Sequence, residues 1–130
     1  MEQNKKIQKN LFENNLLNSR FKQLNIHGVE RCGITYFNKS ECKNVIQFCK
    51  ENGIAVLGID GFEFQGDFIV DLMDIYDASC LPQDKWDDFV NKSINGAFLF
   101  ISQNNKKNEF FEFVFFESTE ARKTYKKENE

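Results

Sequence analysis

Proline occurs once in this chain, at Pro82, and histidine once, at His27, among 130 residues. With so little rigid punctuation, nothing reads as a proline-rich linker between two folding units. The length suits one domain that buries roughly two-thirds of its unfolded surface. The expected organisation is a single domain over residues 1–130, with an N-terminal helical segment over 1–27 and a charged tail over 118–130. No run approaches the about 18 consecutive apolar residues that a membrane span needs. The opening Met1-Glu2-Gln3-Asn4-Lys5-Lys6 is polar and charged, and no apolar signal core follows it. A cytoplasmic protein without a membrane partner is expected.

Signatures of chemistry are missing as well. There is no GxSxG elbow, no phosphate loop, no HExxH pair and no dinucleotide fingerprint. The sole histidine stands beside Gly28 at a helix end, where a surface or capping role suits it better than that of a general base. Cys32, Cys42, Cys49 and Cys80 lack CxxC spacing and a nearby histidine, which argues against a zinc knuckle. On one helix, Cys42 and Cys49 would stand about 10 Å apart along the axis, too far for a disulfide. Asp71, Asp74 and Asp77 recur every third residue, whereas a calcium loop needs ligands at alternate positions, a central glycine and a closing glutamate. The expectation is four reduced thiols, no cofactor, no metal and no catalytic residue.

What the chain has in excess is phenylalanine, fifteen residues, which promises an aromatic core, and one block of acid. Asp60, Glu63, Asp67, Asp71, Asp74, Asp77, Asp84, Asp87 and Asp88 face Lys85 alone, so residues 60–88 carry a formal −8 in a chain whose net charge is −3. The flanking stretches are mildly basic. Such asymmetry speaks about partners more than about fold. It argues against nucleic acid, whose phosphates this block would repel.

Hydrophobic spacing supplies the elements. Ile7, Leu11, Leu17, Phe21 and Leu24, widened by Phe12 and Leu16, fall near one helical face. Val29 to Phe37 alternates loosely, as a short strand or an extended lead-in. Asn38 with Glu41 forms an N-terminal capping pair, Cys42, Val45, Ile46 and Cys49 follow at helical spacing, and Asn52-Gly53 supplies the stop. Ile54 to Ile59 is an apolar run of the kind buried on both faces of a sheet. It continues through Gly61-Phe62-Glu63-Phe64 into a turn at Gln65-Gly66 and a return over Asp67 to Leu72, a β-hairpin. Gly58 and Gly61 within that strand call for a bulge or a close backbone approach. A loop is expected from Ala78 to Gln83, then a helix from Pro82 to about Asn104 with Trp86, Phe89, Val90, Ser93, Ile94, Ala97, Phe100 and Ile101 on one face. Gly96 interrupts it. Phe110 to Phe116 reads as a central strand. The sum is an α+β fold, one mixed or antiparallel sheet with helices mainly on one face.

The lead-in Cys32 to Phe37, the amphipathic helix, Gly53-Ile54-Ala55-Val56-Leu57-Gly58-Ile59-Asp60, and Trp86-x-x-Phe89-Val90-x-x-Ser93-x-x-x-Ala97-x-x-x-Ile101 before a final apolar strand together resemble the immunity protein 40 family of bacterial polymorphic-toxin systems. The likeness spans residues 28 to 117. It implies a small cytoplasmic protein that binds and blocks a cognate toxin domain without chemistry of its own. A toxin that grips phosphate is basic, so the acidic block is the candidate surface for it. The expected contacts are Asp71, Asp74, Asp77, Asp84, Asp87 and Asp88, with Tyr76 as an aromatic anchor. The alternatives are an acidic interaction or regulatory domain without a toxin partner, and a plain solvated face. Oligomeric state is left open.

Overall fold

A computed structural model describes residues 17–82, 85–104 and 109–118. Helical turns over residues 17–23 (α1) lead into β1 (Val29–Arg31), β2 (Ile34–Asn38), α2 (Lys39–Glu51), β3 (Ile54–Gln65), β4 (Phe68–Asp77), α3 (Trp86–Ser102) and β5 (Glu109–Glu117). The strands form one sheet in the order β1-β2-β5-β3-β4, and every neighbouring pair is antiparallel. The helical segments share one face. Phe21 of α1 meets Phe48 of α2, Phe37 of β2 and Phe115 of β5, while Phe100 of α3 meets Phe111 two turns of the pleat away. This is the expected α+β arrangement, and β5, predicted central, does lie in the middle of the sheet.

Local chemistry explains the boundaries. Asn38 caps α2 by accepting the Glu41 amide at 3.0 Å, and Gly53, at φ +65°, supplies the left-handed residue that ends it. Glu41 does not return to the cap as a capping box requires; its carboxylate instead accepts the His27 amide and ties the end of α1 to α2. The lead-in over 29–37 proves to be a hairpin, because Cys32 and Gly33 both take positive φ and turn the chain back on itself. β4 runs on to Asp77, beyond the expected end at Leu72, and α3 begins at Trp86 instead of Pro82. The apolar positions Ile7, Leu11, Phe12 and Leu16, the charged tail beyond Ser118, and Asp84 lie outside the described residues.

The core fills the space between helices and sheet. Phe21, Phe37, Phe89, Phe111, Ile46, Ile59 and Ile94 are all fully enclosed. Burying each such side chain stabilises the fold by about 1.5–3 kcal/mol. Trp86, half-buried, packs edge-on to Phe116 and donates its indole N–H to the Gly53 carbonyl at 3.1 Å. Gly96 is explained by a neighbour. A Cβ there would run into the Tyr76 ring, 2.7 Å from Cε1, while the Tyr76 hydroxyl donates to the Ser93 carbonyl at 2.8 Å.

Two irregularities bend β3. Its register with β5 slips between Val56 and Gly58, and close to this slip the Val56 amide donates to Ser93 Oγ at 3.1 Å. Its register with β4 slips between Asp60 and Phe62, where β4 carries two extra residues. There Met73 adopts φ +59° and its amide donates to Asp71 Oδ1 at 2.8 Å. Cys42 and Cys49 are buried and Cys32 and Cys80 exposed, all four as free thiols. Burial pushes the Cys42 and Cys49 thiols well above their usual range, which leaves both unreactive.

Candidate functional site

Alternation puts every second strand residue on the face away from the described helices. The pairings Gly58↔Asp77, Asp60↔Ile75, Phe62↔Asp71 and Phe64↔Ile69 on one side of β3, and Gly58↔Val114, Asp60↔Glu112 and Phe62↔Phe110 on the other, define that open face. Its two ends differ in chemistry.

Toward the β3–β4 turn the open face is aromatic. Phe64 stacks on Phe110 with centroids 4.2 Å apart, and Tyr36 meets both Phe62 and Phe64 edge-on. The Arg31 guanidinium lies over the Phe64 ring, 5.4 Å from its centroid. Tyr36 is buried among these rings, and none of the described helices packs on it. Burial, with smaller contributions from the Glu112 and Cys32 charges, raises the Tyr36 hydroxyl above its ordinary value.

Toward the other end the face is acidic. Partial burial raises the Asp60 carboxyl, and the charges of Asp71 and Asp77 raise it further. Burial and the Asp60 charge do the same to Glu112. Asp77 moves the other way, because Ser79 hydrogen-bonds to its carboxylate, the amide donating at 2.8 Å. Beside Asp60 and Asp77 lies a hollow of about 210 Å³, lined also by Leu57, Gly58, Ile75 and Val114. Ile75 is 57% exposed beside it, and Phe68 and Met73 on the same strand are more exposed still.

The expected contact residues separate in this frame. Asp71 and Asp77 project from the open face beside Asp60 and Glu112. Asp74 is half-buried toward the helix side, where a Cβ on Gly61 would touch it at 3.2 Å. Tyr76 also points to the helix side, its hydroxyl on Ser93 and its ring against Phe100. Asp87 and Asp88 stand exposed in the first turn of α3, where they favour the helix dipole. Asp84 lies outside the described residues.

A family model described as immunity protein 40 matches residues 23–115, most of the chain. The chain belongs to the immunity protein 40 family. Membership makes it an immunity protein of a toxin system. Comparison with curated proteins and with solved structures finds no match. The matched stretch takes in every element from β1 to α3 and all but the last residues of β5.

For an immunity protein the arrangement offers recognition chemistry: fixed carboxylates, exposed aliphatic groups and a mutually packed aromatic patch on one rigid sheet. Among the described residues no group of three or more His, Cys, Asp or Glu is placed to hold a metal ion. No described helix is long and apolar enough to cross a membrane. Sequence reasoning missed Asp60 and Glu112, which are 52 positions apart and meet only because β5 inserts between β2 and β3. The available signal was the strict alternation of Phe62, Phe64 and Asp60 with Gly61 and Glu63, and of Phe110, Glu112 and Val114 with their phenylalanine neighbours.

Proposed function

We propose that this immunity protein neutralises a cognate, basic toxin domain in the cytoplasm by binding it through the acidic end of the open sheet face, with no catalysis of its own. The observation that carries this reading is that Asp60 and Asp77 line an apolar hollow on the face where Glu112 and Asp71 also stand, the four carboxylates coming from three strands. Concentrated negative charge raises association rates with a cationic partner and orients it, while exposed apolar groups slow its departure once water is expelled. Ile75 and Met73 serve that second role here. Asp87 and Asp88 at the start of α3 widen the negative field without forming part of the hollow. Asp74 and Tyr76 support β4 from behind.

The test is calorimetry with the toxin domain encoded beside the immunity gene, at two salt concentrations. Asp60→Asn/Asp71→Asn/Asp77→Asn is expected to slow association and flatten its salt dependence with the fold intact. Asp87→Asn/Asp88→Asn should change association by a smaller factor. Failure of the wild-type protein to bind the toxin domain would overturn the reading in favour of an interaction or regulatory domain without a toxin partner. Tight binding indifferent to salt and to the triple variant would move the interface off this face.

A further inference from the structure

Resting on the toxin-binding reading, we infer that the hollow lined by Gly58 is a socket for one lysine or arginine side chain of the partner. Three features of the hollow specify such an occupant. Its walls, Leu57, Ile75 and Val114, are aliphatic, and suit a methylene stem. Its rim carries Asp60 and Asp77, with Glu112 paired beside Asp60, and suits a terminal cation. Gly58 lines it without a side chain that would take up the space. An apolar occupant would satisfy the walls and leave the carboxylates desolvated without a counter-charge, a costly outcome. An anionic one would be repelled. A cationic head on an alkyl stem meets both demands at once, and its charge relieves the mutual repulsion that Asp60, Asp71 and Asp77 bear in the free protein.

Gly58 also makes the inference testable, because its glycine is not demanded by the backbone. A Cβ there would lie 3.4 Å from the Tyr76 carbonyl oxygen and 3.9 Å from Val114 Cβ, ordinary contacts that a small side chain accommodates. Filling the socket therefore need not disturb the sheet. Gly58→Val is expected to weaken binding of the toxin domain by at least about tenfold, Gly58→Ala by less, with thermal melting close to wild type. Ile75→Trp, at a position 57% exposed, closes the same hollow from its rim and stands in if Gly58→Val perturbs folding.

The partner supplies the second arm. Each surface lysine and arginine of the toxin domain is changed in turn to methionine, which keeps the stem and removes the charge. One such variant should reproduce the loss seen with Gly58→Val, and the two losses together should be no larger than either alone, as expected of groups that share one contact. Wild-type binding that survives both Gly58→Val and Ile75→Trp overturns the socket while the toxin-binding reading stands. So does the lack of any partner cation coupled to Gly58. Wild-type protein that binds no toxin domain overturns both.

Discussion

The two faces of the sheet are built from similar residues and put to different ends. On the covered face Phe37, Phe111, Phe113 and Phe115 are closed over by three helical segments. On the open face Tyr36, Phe62, Phe64 and Phe110 pack on one another and on Arg31. Aromatic content alone therefore does not mark a core. Carboxylates do not mark the open side either: Glu109 and Glu117 lie buried among the covered rings, near Cys42 and Cys49, while Asp60 and Glu112 are only half-buried on the other face.

The sharpest way to break the contrast is to remove one ring from each side. Phe111→Ala, at a fully enclosed position, should destabilise the protein by about 3 to 5 kcal/mol in urea unfolding. A loss below 1 kcal/mol would mean that the covered face is not the core. Next in size is Ser93→Ala. Ser93 is the buried hydroxyl that receives the Val56 amide, and leaving that amide unsatisfied should cost about 1 to 3 kcal/mol. Ser93→Thr, which keeps the oxygen, should recover part of the loss unless its added methyl overpacks the site. On the open face Phe64→Ala removes a stacked pair, an edge-on pair with Tyr36 and a cation–π contact; with each aromatic pair worth about 0.5 to 1.5 kcal/mol, the loss should stay below that of Phe111→Ala.

The smallest effect is the one that depends on pH. Asp60 and Glu112 have folded-state values raised above their unfolded ones, chiefly by burial. Their favourable contribution is fully present below the ordinary carboxyl range and is lost as pH rises through the raised values, so at neutral pH the charged pair opposes folding. Asp60→Asn should thus raise the urea midpoint at pH 7 by an amount worth under about 1 kcal/mol. That gain should shrink to nothing in acid, where wild-type Asp60 is protonated. A loss of stability at neutral pH would show that Asp60 has a stabilising partner in the free protein.

Much of the covered face was legible in the sequence because helical periodicity and capping are local signals. Cys42, Val45, Ile46 and Cys49, and Phe89, Val90, Ser93, Ile94, Ala97 and Ile101, all fall on buried faces as their spacing requires. The glycines were legible as questions, and the answers came from distant residues: Tyr76 for Gly96, Glu109 and Asp74 for Gly61. The open face was hidden for the same reason. A run of acids along the chain divides between two sides of a sheet, so Asp71 and Asp77 part from Asp74 and Tyr76, and Asp60 finds Glu112 only through strand order. Charge counted along a sequence does not yet say which side it occupies.

The kink at Met73 has a consequence for solubility. β4 forms one border of the sheet and, with Phe68, Met73 and Ile75 laid along it, offers what another chain could extend into a continuous ribbon. The two surplus residues between Asp71 and Ile75 put its amides and carbonyls out of step midway. A straight strand laid against it finds matching groups for a few residues, then loses them. At the opposite border β1 is only three residues long. Among the described residues, then, both margins offer another chain only short in-register stretches to extend.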